Sequence, residues 1–264
     1  MNSVFRRRRA VVIGSKPVDE IFWWHSIDLG DRVTPGHKTP ELLDREWSNL
    51  RLPDLTGRSV LDIGCWDGWF SFRAERAGAA RVVALDHYVW SLDLPRQQSY
   101  WRDCRERAIT PQQYHEQPDL WHPDTLPGKA GFDLAHSTLN SRVEPVVADF
   151  MTVDLDTLGT FDIVLYLGVL YHMEEPLTAL RRVRRATKSL AVIESEALTI
   201  AGQTNALWEF VPGAAVNADI GNWWIPTEAG LHGLCRAAGF REVETVVGPP
   251  DGPEHYRLVV HASV

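Results

Sequence analysis

A chain of 264 residues that is 44% hydrophobic can bury the core of one α/β domain with additions, and none of its apolar runs reaches the length of a membrane span. Its net charge of −8 and pI near 5.7 argue against a surface built for phosphate backbones, although a local basic patch could sit within that balance. Three scattered cysteines, Cys65, Cys104 and Cys235, give neither a disulfide framework nor a metal-ligand spacing, so a cytoplasmic setting without a metal is expected.

Residues 1–16 carry Arg6 to Arg9 ahead of a short Val-Val-Ile, too brief for a signal-peptide core, and read as a solvated tail. Residues 17–57 read as a helical cover segment added before the sheet. Val18, Ile21, Phe22 and His25 recur at helical spacing, which predicts a short amphipathic helix ending near His25. Pro35-Gly36 marks a turn, and Thr39 and Pro40 supply the N-cap and first position of a second helix. This layer could cover a ligand or only pack on the sheet.

The core begins with V-L-D-I-G-C-W-D-G-W-F, Val60 to Phe70: a buried strand, a turn from Gly64 to Gly68, then an apolar helix. Glycine lets a backbone approach a ligand closely, and Asp62 ends its strand where open α/β sheets bind ligands. A dinucleotide would want G-x-G-x-x-G for its pyrophosphate. Here the spacing is D-x-G-x-x-x-G, with an acid where a pyrophosphate would be repelled. That pattern suits S-adenosylmethionine, whose ammonium and ribose hydroxyls match carboxylates. About 20 residues on, Arg81 to Asp86 form a short strand whose closing acid stands where ribose hydroxyls are held.

The expected elements then run as strands over 60–63 and 82–85 with a helix over 70–77 between them. Residues 87–129 form an insertion rich in aromatics, among them Trp90, Tyr100, Trp101, Tyr114 and Trp121. So long a connection is either functional or disordered, and this composition favours order, with a helix over 96–108 above the substrate side. A helix over 131–139 and a strand over 143–149 follow. Asp149-Phe150 could bond the adenine amino group and stack on its ring, or be an ordinary strand-to-loop corner. Residues 161–167 are apolar enough for burial on both faces, hence a parallel strand, and Gly168 and Tyr171-His172 come next. A helix over 177–187, a strand over 190–193 and a loop over 208–226 precede a helix over 227–238 capped by Gly239. Strands over 243–247 and 256–262 pair at the end. The alternation predicts a doubly wound, Rossmann-like three-layer α/β sandwich over residues 58–264, with a seven-stranded, mostly parallel sheet.

D-I-G-C-W-D-G, A-L-D, A-D-F and F-D-I-V-L-Y-L-G-V-L-Y-H, in this order and spacing, resemble the class I S-adenosylmethionine-dependent methyltransferases over residues 58–262. G-V-L-Y-H with the later N-W-W-I-P-T is similar to the bacterial tRNA wobble-uridine 5-oxyacetate carboxymethyltransferase group. H-S-I-D-L-G with T-P-G looks like a broader set of actinobacterial relatives. The resemblance implies that Asp62, Gly64 and Gly68 hold the methionine end and sulfonium side of the cofactor, Asp86 the ribose, and Asp149 and Phe150 the adenine, with Gly168 in the same set. In the carboxymethyltransferase group the tyrosine matching Tyr171 helps bind the extra carboxylate of carboxy-S-adenosyl-L-methionine. A lysine near the N-terminus and an arginine on the last strand assist it, and Lys38 and Arg257 are the counterparts in this chain. Trp66 departs from the family pattern, which has a second glycine there; its indole must point away from the cofactor or reshape the loop.

Methyl transfer from a sulfonium needs an aligned nucleophile and often a base. His172 is the first candidate base, since an unperturbed histidine titrates near neutrality, though it could instead only bond a neighbouring loop. Tyr171 would orient substrate or cofactor, and His25, Lys38, Trp223, Trp224 and Arg257 are candidate substrate contacts. Arg181, Arg182, Arg184 and Arg185 would be a phosphate footprint if RNA bound, or otherwise a solvated helix face. The expected function is methyl transfer to a small molecule, a hydroxyl of an aromatic or glycosylated metabolite. Modification of a tRNA wobble uridine, which the acidic charge disfavours, and cofactor binding without transfer are the alternatives.

Overall fold

A computed structural model describes residues 17–211, 213, 216, 219–250 and 255–264, so the expected tail over 1–16 lies outside the described residues. In chain order the elements are α1 (Pro40–Asn49), β1 (Ser59–Ile63), α2 (Trp69–Arg76), β2 (Arg81–Asp86), α3 (Tyr88–Ser91), α4 (Leu94–Glu106), α5 (Ala130–Thr138), β3 (Glu144–Val147), α6 (Leu155–Leu158) and β4 (Phe161–Leu167). They continue with α7 (Pro176–Ala186), β5 (Thr187–Leu198), β6 (Trp208–Phe210), β7 (Trp224–Pro226), α8 (Glu228–Ala237), β8 (Glu242–Val247) and β9 (His255–Ser263).

Seven strands form one sheet in the order β3-β2-β1-β4-β5-β9-β8. The first five are parallel, and β9 runs antiparallel to both β5 and β8. The apolar run at 161–167 explains the middle of this order, because Ile163, Val164, Leu165 and Tyr166 are wholly buried and need cover on both faces. One face packs Leu61, Val83, Val164 and Ile193 against Leu180 and Val183 of α7 and Leu231 of α8. The other packs Val60, Val82, Ile163 and Val192 against Phe72 of α2, Phe132 of α5 and the leading residues Trp23, Ile27 and Leu43. Each aliphatic side chain among them contributes about 1.5–3 kcal/mol on burial. The chain moves outward from β1 through β2 to β3, then returns to lay β4 on the other side of β1. That reversal makes β1 and β4 a topological switch point, and ligands of open α/β sheets bind at the carboxyl ends of such strands.

Three expectations need correction. The helix predicted to end near His25 is a single 3-10 turn, Val18–Glu20, followed by extended chain in which His25 bridges Lys38 in parallel. A two-residue alternation wins over the helical spacing: Trp23, His25, Ile27 and Leu29 are all buried while Asp28 and Gly30 face solvent. Gly36 is essential to that path, because a Cβ there would lie 2.2 Å from the His25 carbonyl carbon. Strand five is longer than its apolar run of 190–193, since every residue from 190 to 198 finds a partner on β9, carrying the strand through Glu194, Ser195 and Glu196. The loop over 208–226 holds a small antiparallel arm, β6 with β7. The second helix starts as expected, with the Thr39 hydroxyl accepting from the Leu42 N–H.

Candidate active site

The carboxyl ends of β1 and β2 bring Asp62 and Asp86 together, both less than 5% exposed. The Ser71 hydroxyl at the start of α2 donates to Asp62 at 2.6 Å. Asp86 accepts from the backbone N–H of Trp66 at 3.0 Å and of Val89 at 3.1 Å, so it clamps the glycine turn to the insertion. Burial pushes both carboxyls up to about 6. Gly64 turns with φ +76, and a Cβ there would lie 2.5 Å from the Val169 methyl, so only glycine keeps this corner open against the β4 loop. A carboxylate has about four acceptor sites, so both acids retain capacity toward an ammonium or hydroxyl groups. Two buried acids flanking an open glycine turn fit S-adenosylmethionine.

Trp66 adopts φ +52 and resolves the departure in the loop. Its indole stacks on Trp24, centroids 4.8 Å apart and planes 7° apart, beside Phe22, and packs into the cluster built by Leu92, Leu94, Tyr114 and Ile220. It therefore joins the leading segment to the insertion. Asp67, which sequence reasoning passed over, fastens the same segment. Its carboxylate accepts from the backbone N–H of Trp24 at 2.8 Å and of His25 at 3.0 Å, and pairs with His25 Nδ1. His25 is thus held by Asp67 rather than turned toward a substrate.

Beyond β4, Gly168 sits where a Cβ would lie 3.5 Å from the Tyr171 hydroxyl, 3.6 Å from a Glu194 oxygen and 3.8 Å from Arg257. The structure brings Tyr171, Arg257 and Lys38 to this corner together with Glu194, Glu196 and Glu46. The Arg257 guanidinium lies over the Tyr171 ring at 5.2 Å, and burial keeps that phenol's pKa above its ordinary value. His172 is positioned by the loop before β7. Its Nδ1 is 2.9 Å from the Gly221 carbonyl, which can only accept, so Nδ1 carries the proton and the neutral ring keeps a lone pair on Nε2. Burial lowers its pKa, leaving the ring neutral at neutral pH.

Other candidates fall elsewhere. Trp223 and Trp224 set their rings beside the exposed Phe210 on the β6–β7 arm, and it is the Trp223 N–H, donating to the Tyr171 carbonyl at 2.8 Å, that reaches this corner. Asp149 is exposed and accepts from Met151 N–H in its own turn, while the Phe150 ring is buried against Tyr166 and beneath Arg182. Glu194, Glu196 and the Asp219–Gly221 loop escaped sequence reading, although E-S-E at the end of an apolar strand carries the two-residue period that sets both acids on one face.

The methyltransferase-domain family profile matches residues 36–245. The tRNA U34 carboxymethyltransferase of Ectopseudomonas mendocina (strain ymp) is 27% identical over 193 residues, covering 73% of this chain and 48% of that protein. The enzyme of the same name from Azotobacter vinelandii is 28% identical over 214 residues, covering 78% and 54%. The chain therefore spans about half the length of these curated relatives. Among solved structures, the N-terminal domain of EvdMO1 in the presence of S-adenosylhomocysteine and D-fucose superposes with a TM-score of 0.56 at 19% identity, covering 91% of each chain, a likeness of fold. Among the described residues no helix is long and apolar enough to cross a membrane. With the glycine turn, the two strand-end acids and a family match over most of its length, the chain belongs to the methyltransferase-domain family.

Proposed function

We propose that the enzyme methylates a hydroxyl of a small, neutral acceptor, an aromatic or glycosylated metabolite, in the cytoplasm. One observation carries this reading: His172 is held through Nδ1 to the Gly221 carbonyl, with Nε2 left as a proton acceptor and the ring beside that of Tyr171. When bound, S-adenosylmethionine supplies a methyl group made electrophilic by its sulfonium. Asp62, Gly64, Gly68, Asp86 and Gly168 would hold it. His172 Nε2 would take the hydroxyl proton as the oxygen attacks, and Tyr171, a neutral phenol, would donate a hydrogen bond that orients the acceptor.

Modification of tRNA is the second reading, favoured by the names of the curated relatives. The arginines of α7 give it little support. Arg182 donates to the carbonyls of Phe150 and Val153, Arg184 to that of Gly239, and Arg185 pairs with Asp156. Incubating the enzyme with isotopically labelled S-adenosylmethionine or carboxy-S-adenosyl-L-methionine and, separately, tRNA bearing wobble 5-hydroxyuridine or a panel of phenols and deoxyhexoses such as D-fucose tests the two. Label entering a small hydroxylated acceptor, lost in His172→Ala with cofactor affinity intact, is the expected result. Label entering tRNA alone would overturn the proposal.

A further inference from the structure

Glu194 and Glu196 stand two positions apart on β5, on one face of the sheet, with side chains only 15% and 13% exposed. Arg257 lies opposite Glu196 in the antiparallel register with β9. Its Nε lies 2.8 Å from a Glu194 carboxylate oxygen and its Nη1 donates to Glu196 at 3.2 Å. Lys38 is likewise paired, with Glu46 at 2.7 Å. Both cations that could meet an anionic ligand at Tyr171 are therefore matched by carboxylates from the chain itself. Among the described residues the corner holds Lys38 and Arg257 against Glu46, Glu194 and Glu196, two positive groups against three negative ones.

A ligand carboxylate entering here would meet a corner already negative, where Arg257 already directs its Nε and Nη1 toward Glu194 and Glu196. Bringing a further carboxylate up to two that already share one guanidinium adds like-charge repulsion. A neutral hydroxyl meets no such cost, because a carboxylate beside a guanidinium offers an acceptor and a donor together. Resting on the methyltransferase reading above, we propose that Glu194 and Glu196 are specificity determinants that close this corner to anionic groups, so that the enzyme uses S-adenosylmethionine itself, not its carboxylated form, and accepts neutral hydroxylated molecules.

Calorimetric titration of the full chain with S-adenosylmethionine and with carboxy-S-adenosyl-L-methionine tests this directly, without turnover. Wild type should bind the ordinary cofactor at least about tenfold more tightly. Glu196→Gln, and more strongly the Glu194→Gln/Glu196→Gln pair, should narrow that ratio by about tenfold through gained affinity for the carboxylated form, with ordinary-cofactor affinity little changed. Glu196→Leu, which removes the charge without a new hydrogen-bonding group, should act in the same direction and guards against misfolding of the double variant. Equal or tighter binding of the carboxylated form by wild type overturns the proposal, as does a ratio unmoved in folded Glu196→Gln and Glu196→Leu. Binding of neither cofactor by wild type would sink the methyltransferase reading beneath it, a result distinct from both.

Discussion

Replacing Asp67 by alanine releases the leading segment from the glycine turn, at a cost set by the hydrogen bonds its carboxylate makes. The Trp24 and His25 N–H groups lose their acceptor, and the buried His25 imidazole loses its partner. A buried donor left unsatisfied costs about 1–3 kcal/mol, so the variant should lose about 3–4 kcal/mol. For a chain of this size that is a fall in melting temperature of about 10 °C. Asp67→Asn is the control. Both backbone bonds run to one carboxylate oxygen, which the amide carbonyl replaces, so the expected loss is about 1 kcal/mol. Hydrogen exchange measured by mass spectrometry should show faster exchange across residues 17–38 in Asp67→Ala, with β4 unchanged. An alanine variant within about 0.5 kcal/mol of wild type, or an asparagine variant equally damaged, refutes the latch.

His172→Ala should lower kcat by about 100-fold or more while cofactor affinity holds within about twofold; because burial lowers the pKa of this base, the acid limb of kcat/KM should fall below the ordinary histidine value of 6.5. A limb above that value would contradict the assignment. Asp62 and Asp86 are raised from 3.8 to about 6, so the ligand-free fold binds protons the unfolded chain has released; their contribution is fullest below the unfolded value and is lost as pH rises through about 6. A rise of that size is worth about 3 kcal/mol for each acid. Asp62→Asn should accordingly raise the ligand-free melting temperature at neutral pH while weakening S-adenosylmethionine binding by about tenfold or more, and a lowered melting temperature would count against it. Trp66→Gly should be about 1 kcal/mol more stable than Trp66→Ala in chemical denaturation, since the position holds φ +52; the reverse order would show that the strained backbone is not what decides it.

Much of the candidate site is legible in the sequence. D-x-G-x-x-x-G and the acid ending the next strand announce themselves because strand ends, glycine turns and helix starts are local, and a few neighbouring residues set the backbone path. Long apolar runs such as 161–167 likewise carry their burial with them. The leading segment was misread because two periods overlap in I-F-W-W-H-S-I-D-L, and only its partner, the Asp67 carboxylate 42 residues away, selects the extended one. The adenine role expected for Phe150 met a similar limit: whether an aromatic at a strand end faces a ligand or the core depends on Tyr166 and Arg182, which arrive from other elements.

By itself the sequence determined the alternation of strands and helices, the two acids and the glycine corner, since each depends on hydrophobic period and backbone freedom within a short window. The tertiary structure alone decided which charges meet. Arg257 reaches Glu196 across 61 residues because β9 inserts antiparallel beside β5, and His172 takes its tautomer from a carbonyl 49 residues on. Charge compensation and tautomer are properties of pairs, and a pair exists only once the sheet order has put its members side by side.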